Sequence, residues 1–304
     1  MRDVQEGLAE LLAHLLSVVV NEETLQVRME RFFVPTPASL ATDDDNARRL
    51  NDRLETLAES LGGPPRLIIV KEDGPKPRYD TYPVAAISEL LSAFHTSRRL
   101  VCKAHSLSVA VPFLRANPDV WDAPLNPEEV GNLLHALERR YWEEVEYAYI
   151  RLAAFWDRAG QLLDFAFFNI RQYERDGFAS VVDRVRQNAV PMNADLRECP
   201  AWLSLWAFRK SEQADGLTWL LRRRNLLVHS LHLRSNNAGQ VEDPIFESAY
   251  NHLDIAVQEK LRQGTVEQEL ASLHAQLAKA ASGVGGVAEV ALFAPKIKGK
   301  LIDR

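Results

Sequence analysis

Apolar residues fall at steps of three and four along most of the chain, the spacing of helices that bury one face. Leu8, Leu11, Leu12, Leu15 and Leu16 predict a helix within residues 3–20, and Pro35 and Pro37 break the pattern around 34–39. A second helical stretch, Asn46 to Leu61, follows Asp43, Asp44 and Asp45 and closes at Gly62-Gly63-Pro64. Acids before a helix start are favoured by capping and by the dipole, and one such run supplies too few oxygens for a cation site. Arg66 to Lys71 is β-branched and bounded by turn residues, which predicts a strand pairing with Arg78 to Tyr82 as a small hairpin. Pro83 to Arg98 is helical again, and Ser106 to Leu114 fits helix or strand equally. Asn117-Pro118, Pro124 and Pro127 form a punctuated connector with a candidate boundary near Asp122. Residues 1–125 are thus expected to form a mixed, irregular N-terminal region.

The remainder is more regular. Asn126-Pro127-Glu128-Glu129 is a strong helix start, with a capping side chain, a first-turn proline and acids facing the dipole. From there to about Arg171 apolar residues recur without a proline, as one very long helix or two abutting ones. Between Tyr147 and Phe168 they lie on nearly every side, which predicts a central buried helix. Further helices are expected at 177–188, 201–210, 215–231, 244–262 and 266–281, with a polar loop at 234–243. Gly283, Gly285 and Gly286 are expected to end the pattern before a flexible tail, 283–304, bearing Lys296, Lys298 and Lys300. The fold class is therefore mainly α, with a helical bundle over 126–282.

Composition adds limits. Forty-two acidic against thirty-six basic side chains give 304 residues a formal charge of −6, which weighs against coating nucleic acid through bulk charge but leaves room for a local basic site. No apolar run approaches the roughly 18–20 residues of a membrane span, and no basic n-region with a cleavage site opens the chain. Cys102 and Cys199 form neither a disulfide framework nor a metal pair and are expected to be buried hydrophobes. His14, His95, His135, His252 and His274 show no metal-ligand spacing. A reduced, cytoplasmic protein without cofactor, metal or membrane is the expectation.

The chemistry concentrates at Arg222 to His232, RRRNLLVHSLH. On a helix Arg224 and His229 lie roughly 140° apart, with Asn225 between them about 40° from His229. Three polar groups thus share one side of a helix whose other side is leucine and valine, and His232 follows one turn on. Arg98 to His105 has a similar Arg-x6-His spacing, but it lacks the asparagine and carries Lys103 inside it.

Arg224-Asn225-x3-His229 on an apolar helix, after a long buried helix, resembles the HEPN superfamily, whose signature is Arg, four to six residues, then His, often with Asn beside the Arg. Tyr149 to Ile170 (YIRLAAFWDRAGQLLDFAFFNI) is similar to the long second helix of a bacterial HEPN subfamily. The resemblance covers about 125–280. It implies a homodimeric, metal-independent endoribonuclease with a composite cleft at the dimer interface, a toxin or defence role, and an antitoxin or regulatory protein as partner. RNA supplies its own nucleophile, the 2′-hydroxyl. His229 has the near-neutral pKa of a general base, Arg224 the fork geometry for phosphoryl oxygens, and Asn225 orients His229 or bonds a phosphate. Arg222, Arg223 and His232 are the RNA-binding candidates. The alternative is the same fold holding RNA or a nucleotide without cleavage.

Arg151, Asp157, Arg158, Gln161 and Asp164 interrupt the long helix, and buried charges need partners. They serve either a site, with Arg151 and Asp157 as supporting candidates, or an ion-pair lattice between helices. Trp142, Trp156, Trp202, Trp206 and Trp219 sit at helical spacings and are expected in the core or a dimer interface.

Overall fold

The computed structural model describes residues 44–62, 66–70, 74–78, 81–117, 126–170, 177–229 and 264–295, with Ile297 and isolated helical positions between Leu16 and Arg28. The expectations placed on residues 1–15, 34–39 and 231–262, including His232, and on Lys296, Lys298 and Lys300 lie outside the described residues. The fold is mainly α. Its described elements are α1 (Asp44–Gly62), β1 (Arg66–Val70), β2 (Gly74–Arg78), α2 (Tyr82–Ala116), α3 (Pro127–Phe168), α4 (Phe178–Asn188), α5 (Ala194–Glu198), α6 (Pro200–Lys210), α7 (Leu217–His229) and α8 (Val266–Ala291).

Helix α3 organises the bundle, because α2, α4, α7 and α8 all pack on it. It is one unbroken helix of 42 residues, roughly 63 Å long at 1.5 Å per residue. A capping box fixes its start: the Asn126 side chain accepts from the Glu129 amide at 2.9 Å, and the Glu129 carboxylate accepts from the Asn126 amide at 2.8 Å. Its end is fixed by Asn169 at φ 57°, a left-handed position that asparagine tolerates well. Between Leu152 and Ala166 no residue is exposed, and only Ala154, Asp157, Arg158 and Gln161 are half-buried.

The N-terminal region joins the same structure. Helix α2 runs through Pro112, so Ser106 to Leu114 is helical: packing along α3 outweighs the hydrogen bond that the proline removes. Strands β1 and β2 pair antiparallel from Arg66 opposite Arg78 to Val70 opposite Gly74, placing the second strand four residues earlier than the pattern predicted. Pro75 and Pro77 lie at alternate positions, so both missing amides fall on the open edge of the ribbon. Leu57, Leu90, Trp156, Val185, Leu220 and Ile297 belong to a single hydrophobic core, so the connector near Asp122 joins helices of one core and does not divide two.

The C-terminal expectation needs correction. Helix α8 does not stop at its glycines but passes through them to Ala291, and Ala294 and Ile297 are buried beyond it. Gly283 is there for packing. The Trp156 indole lies against Gly283, where a Cβ would stand 2.6 Å from Cη2. The same ring stacks on Phe208 of α6 (4.2 Å between centroids, 30° between planes) and tilts against Phe178 of α4 at 4.8 Å. Close approach is repeated at Gly160, where a Cβ would meet the Phe178 backbone at 2.9 Å. Helix α8 through Ala291, with Ala294 and Ile297 beyond it, is therefore part of the core and not of a tail.

Gly283→Ala is expected to destabilise the fold by about 1–3 kcal/mol through overpacking against Trp156. Gly285→Ala, whose Cβ would meet nothing within 4 Å, should instead stabilise by about 0.5–1 kcal/mol. Urea denaturation of the pair checks this, and equal effects would contradict the role given to Trp156.

Candidate functional site

The motif helix α7 is held at its start and at the middle of its inner face. At its start, Gly216 approaches Ser211 so closely that a Cβ would stand 2.3 Å from the Ser211 carbonyl oxygen. The buried Gln276 of α8 donates from Nε2 to the carbonyls of Ala214 (2.8 Å) and Gly216 (3.0 Å). One turn further in, Leu220, Arg223 and Leu226 form the buried stripe, at spacings of three.

That phase separates the three arginines. Arg223, expected to bind RNA beside Arg222 and Arg224, is only 6% exposed. Its guanidinium donates to the Glu269 carboxylate of α8 and lies over the rings of Tyr149 (5.9 Å) and Trp219 (5.7 Å). Glu269 also accepts from the Tyr149 hydroxyl and the Gly264 amide, each at 2.7 Å. Burial raises the Tyr149 phenol well above its ordinary value, so it acts as a neutral donor. Arg223 is thus committed to an internal network and is withdrawn from any phosphate-binding surface. The sequence offered no sign of this, since neither Glu269 nor Tyr149 stands near Arg223 in the chain.

Arg222, Asn225 and Val228 form the exposed stripe. Arg222 makes only a loose 3.6 Å ion pair with Glu212, both partners well exposed. Arg224 lies half-buried on the flank, where its charge acts on Asp157 of α3. The two side chains form no ion pair, so one main and one supporting candidate are linked through charge alone. His229 is the last residue of α7.

Asp157 has a second neighbour. Helix α4 begins at Gly177, which has no side chain to cap it, and Asp157 of α3 lies close to that helix end, where the Phe178 amide helps stabilise its charged form. A Cβ on Gly177 would stand 3.3 Å from Asp157 Oδ1. Burial raises the Asp157 carboxyl above its ordinary value, while Arg224, the Phe178 amide and Arg158 each pull it down. The other charges of α3 form a lattice: Arg158 bonds Gln161 (3.1 Å) and pairs with Glu89 (3.7 Å), and Asp164 pairs with Arg184. Arg151 is exposed and makes no ion pair among the described residues, so it is not brought to Asp157.

His105 finds another use for the second Arg-x6-His segment. Its Nδ1 lies 3.0 Å from Nε2 of His274, joining α2 to α8. Burial and His105 lower the His274 pKa below the ordinary value. Among the described residues no three of His, Cys, Asp and Glu converge as a metal site, and no helix is long and apolar enough to cross a membrane. Cys102 and Cys199 are buried thiols that form no disulfide. Trp142, Trp156 and Trp202 are buried, while Trp206 and Trp219 are half-buried. A cleft of about 380 Å³ opens between α2, α3 and the start of α8, lined by Leu107, Val111, Arg115, Tyr141, Trp142 and Glu267. Tyr141 stands sixteen residues before Asp157, roughly 24 Å along the helix, so this cleft is separate from the motif.

Comparisons with family models, with curated proteins and with solved structures find no match for this chain.

Two outcomes follow from this geometry. Arg224→Ala should raise the Asp157 pKa further, because it removes the main charge that lowers it; 13C-detected titration of the aspartate carboxyls reads this, and an unmoved Asp157 would separate the two residues. Arg223→Met leaves Glu269 buried without its cation and is expected to cost about 3–5 kcal/mol in urea unfolding, far more than Arg222→Met at the exposed pair.

Proposed function

We propose that this protein is a metal-independent RNA endonuclease of HEPN type that works as a homodimer. The observation that carries this reading is the placement of Arg224-Asn225-x3-His229. The run closes a helix packed on the long buried α3, with the charge of Arg224 acting on Asp157 and Asn225 turned to solvent.

The chemistry proceeds from the RNA itself. His229 takes the proton from a 2′-hydroxyl, whose oxygen attacks the adjacent phosphorus. Arg224 donates to the phosphoryl oxygens as charge builds on them. The P–O5′ bond breaks, and the leaving 5′-oxygen takes a proton from the second copy's motif across the composite cleft. The products are a 2′,3′-cyclic phosphate and a 5′-hydroxyl, so no external oxidant, reductant or metal is needed. The negative charge of Asp157, near the start of α4, acts on Arg224 and favours its orientation toward α3. With Arg223 withdrawn, the cations that face RNA in each cleft are Arg222 and Arg224. A toxin or defence role, with an antitoxin or regulatory protein as partner, follows from the same resemblance.

End-labelled RNA incubated with the protein in EDTA tests this. Wild type should leave 2′,3′-cyclic phosphate ends, and His229→Ala should lose cleavage by 10²-fold or more, the order of a general-base contribution. Retained RNA binding without products in the wild type would instead establish the non-catalytic binding module. Equal cleavage by both proteins would remove the role given to His229.

A further inference from the structure

A second basic feature lies outside the motif, at the corner where α4 and α6 end. The Arg186 guanidinium sits 4.3 Å from the ring centroid of Trp206, and the Lys210 ammonium 5.3 Å from the same centroid. The two charges are therefore no farther apart than about one Debye length at 0.1 M salt. Both side chains are exposed, and among the described residues neither has a carboxylate partner. The nearby Asp183 is already engaged, accepting from Arg209 at 2.7 Å. Each cation stands in the last turn of its helix, where the dipole favours positive charge. That accounts for either one alone, but not for two uncompensated cations converging on one indole.

The indole beneath them is braced. Trp202, buried, lies parallel to Trp206 within 18° at 6.2 Å between centroids. Leu203, 51% exposed, is one turn before Trp206 on the same helix. The corner thus presents two cations on a stiff aromatic support with an apolar residue beside them, the combination that tracks a single-stranded nucleic acid: cations for phosphates, aromatic and apolar surface for bases. Charge agrees over a wider span, for residues 178–229 hold eight Arg and Lys against five Asp and Glu in a chain that is acidic overall. The surface also leads toward the motif, because Glu212, two residues after Lys210, pairs with Arg222 of α7.

We infer that Arg186, Lys210 and Trp206 form a binding surface for the backbone of single-stranded RNA, placed outside the cleavage motif. This rests on the RNA-handling reading above and assigns to it a substrate contact that the motif does not contain. Arg186 and Lys210 bind consecutive phosphates, and Trp206 holds both cations in place.

The test measures anisotropy of fluorescein-labelled oligouridylate in the His229→Ala background, which keeps the RNA intact. Arg186→Ala/Lys210→Ala should weaken binding on the order of tenfold at low salt and flatten log K against log salt by about 1.4, or roughly 0.7 per phosphate contact on a single strand. Trp206→Ala should weaken binding as well, and Trp206→Phe should restore most of it by keeping an aromatic support. Unchanged affinity and slope in the double variant would overturn the inference. So would no RNA binding at all, or equal binding of polyglutamate, which would mark an acidic polypeptide as the partner. The two proposals fail separately. RNA cleavage with a KM that the double variant leaves unaltered would remove this surface and keep the nuclease. Binding that depends on Arg186 and Lys210, without cleavage by the wild type, would keep this surface and remove the nuclease.

Discussion

The bundle depends on how a single indole is enclosed. Trp156 sits near the middle of the buried half of α3 and meets α4, α6 and α8 at once, through Phe178, Phe208 and Gly283. Removing so large a side chain from a close-packed interior costs about 3–5 kcal/mol in comparable cores, and the distances here leave no room for a bulkier neighbour. Gly160 and Gly283 follow from that constraint. One lets α4 approach α3, and the other lets α8 pass beneath the ring. Once α3, α4 and α8 are fixed in this way, the remaining choice is how α7 rotates in the space left between α3 and α8.

Polar groups make that choice. Gln276 holds the start of α7, and the Arg223–Glu269 pair with Tyr149 holds its middle. A buried ion pair adds little net stability against an apolar replacement, but it strongly penalises rotations that break it. A turn of 100° about the helix axis would carry Arg223 away from Glu269, Tyr149 and Trp219 and break all of these contacts at once. The network therefore acts as a register device, and its consequence is the outward stripe of Arg222 and Asn225 with Arg224 half-buried on the flank.

Much of the framework was legible in the sequence where local rules agree with one another. The start of α3 carried a cap, a first-turn proline and two acids, followed by an unbroken apolar period, and it begins at the predicted residue. The motif run was legible as a helix, and Asp157 stood out because a carboxylate in so apolar a stretch needs a partner. What stayed hidden depends on contacts distant in sequence. Gly283 looks like a helix stop until Trp156, more than a hundred residues earlier, is placed against it. Arg223 looks like one of three equivalent cations until Glu269 and Tyr149 assemble around it. Pro112 and the prolines of β2 argue locally against helix and strand, and packing or an open edge overrules them. His105 stood in a segment set aside for lacking the asparagine, and its pairing with His274 joins positions far apart in the chain.

The division of charge bears on how an acidic chain can meet an anionic strand. Of the three adjacent arginines, Arg223 is neutralised by Glu269 and Arg224 is partly offset by Asp157. Arg222 alone keeps nearly its full charge, because its exposed pair with Glu212 is weak. One free cation per motif is too little to hold a strand at physiological salt, where each phosphate contact contributes only a modest salt-dependent increment. In the proposed ribonuclease, affinity would then come from doubling the motif across a dimer, from cations elsewhere on the surface, or from both. The corner at Trp206 offers the second source on the same chain, and its separation from Arg224 has a use. Cations beside the reacting phosphate bind substrate and transition state alike unless their geometry favours the latter, and only the difference accelerates the chemical step. Under the two proposals, placing the uniform part of binding on Arg186 and Lys210 would leave Arg224 and Asn225 to be arranged for the developing charge.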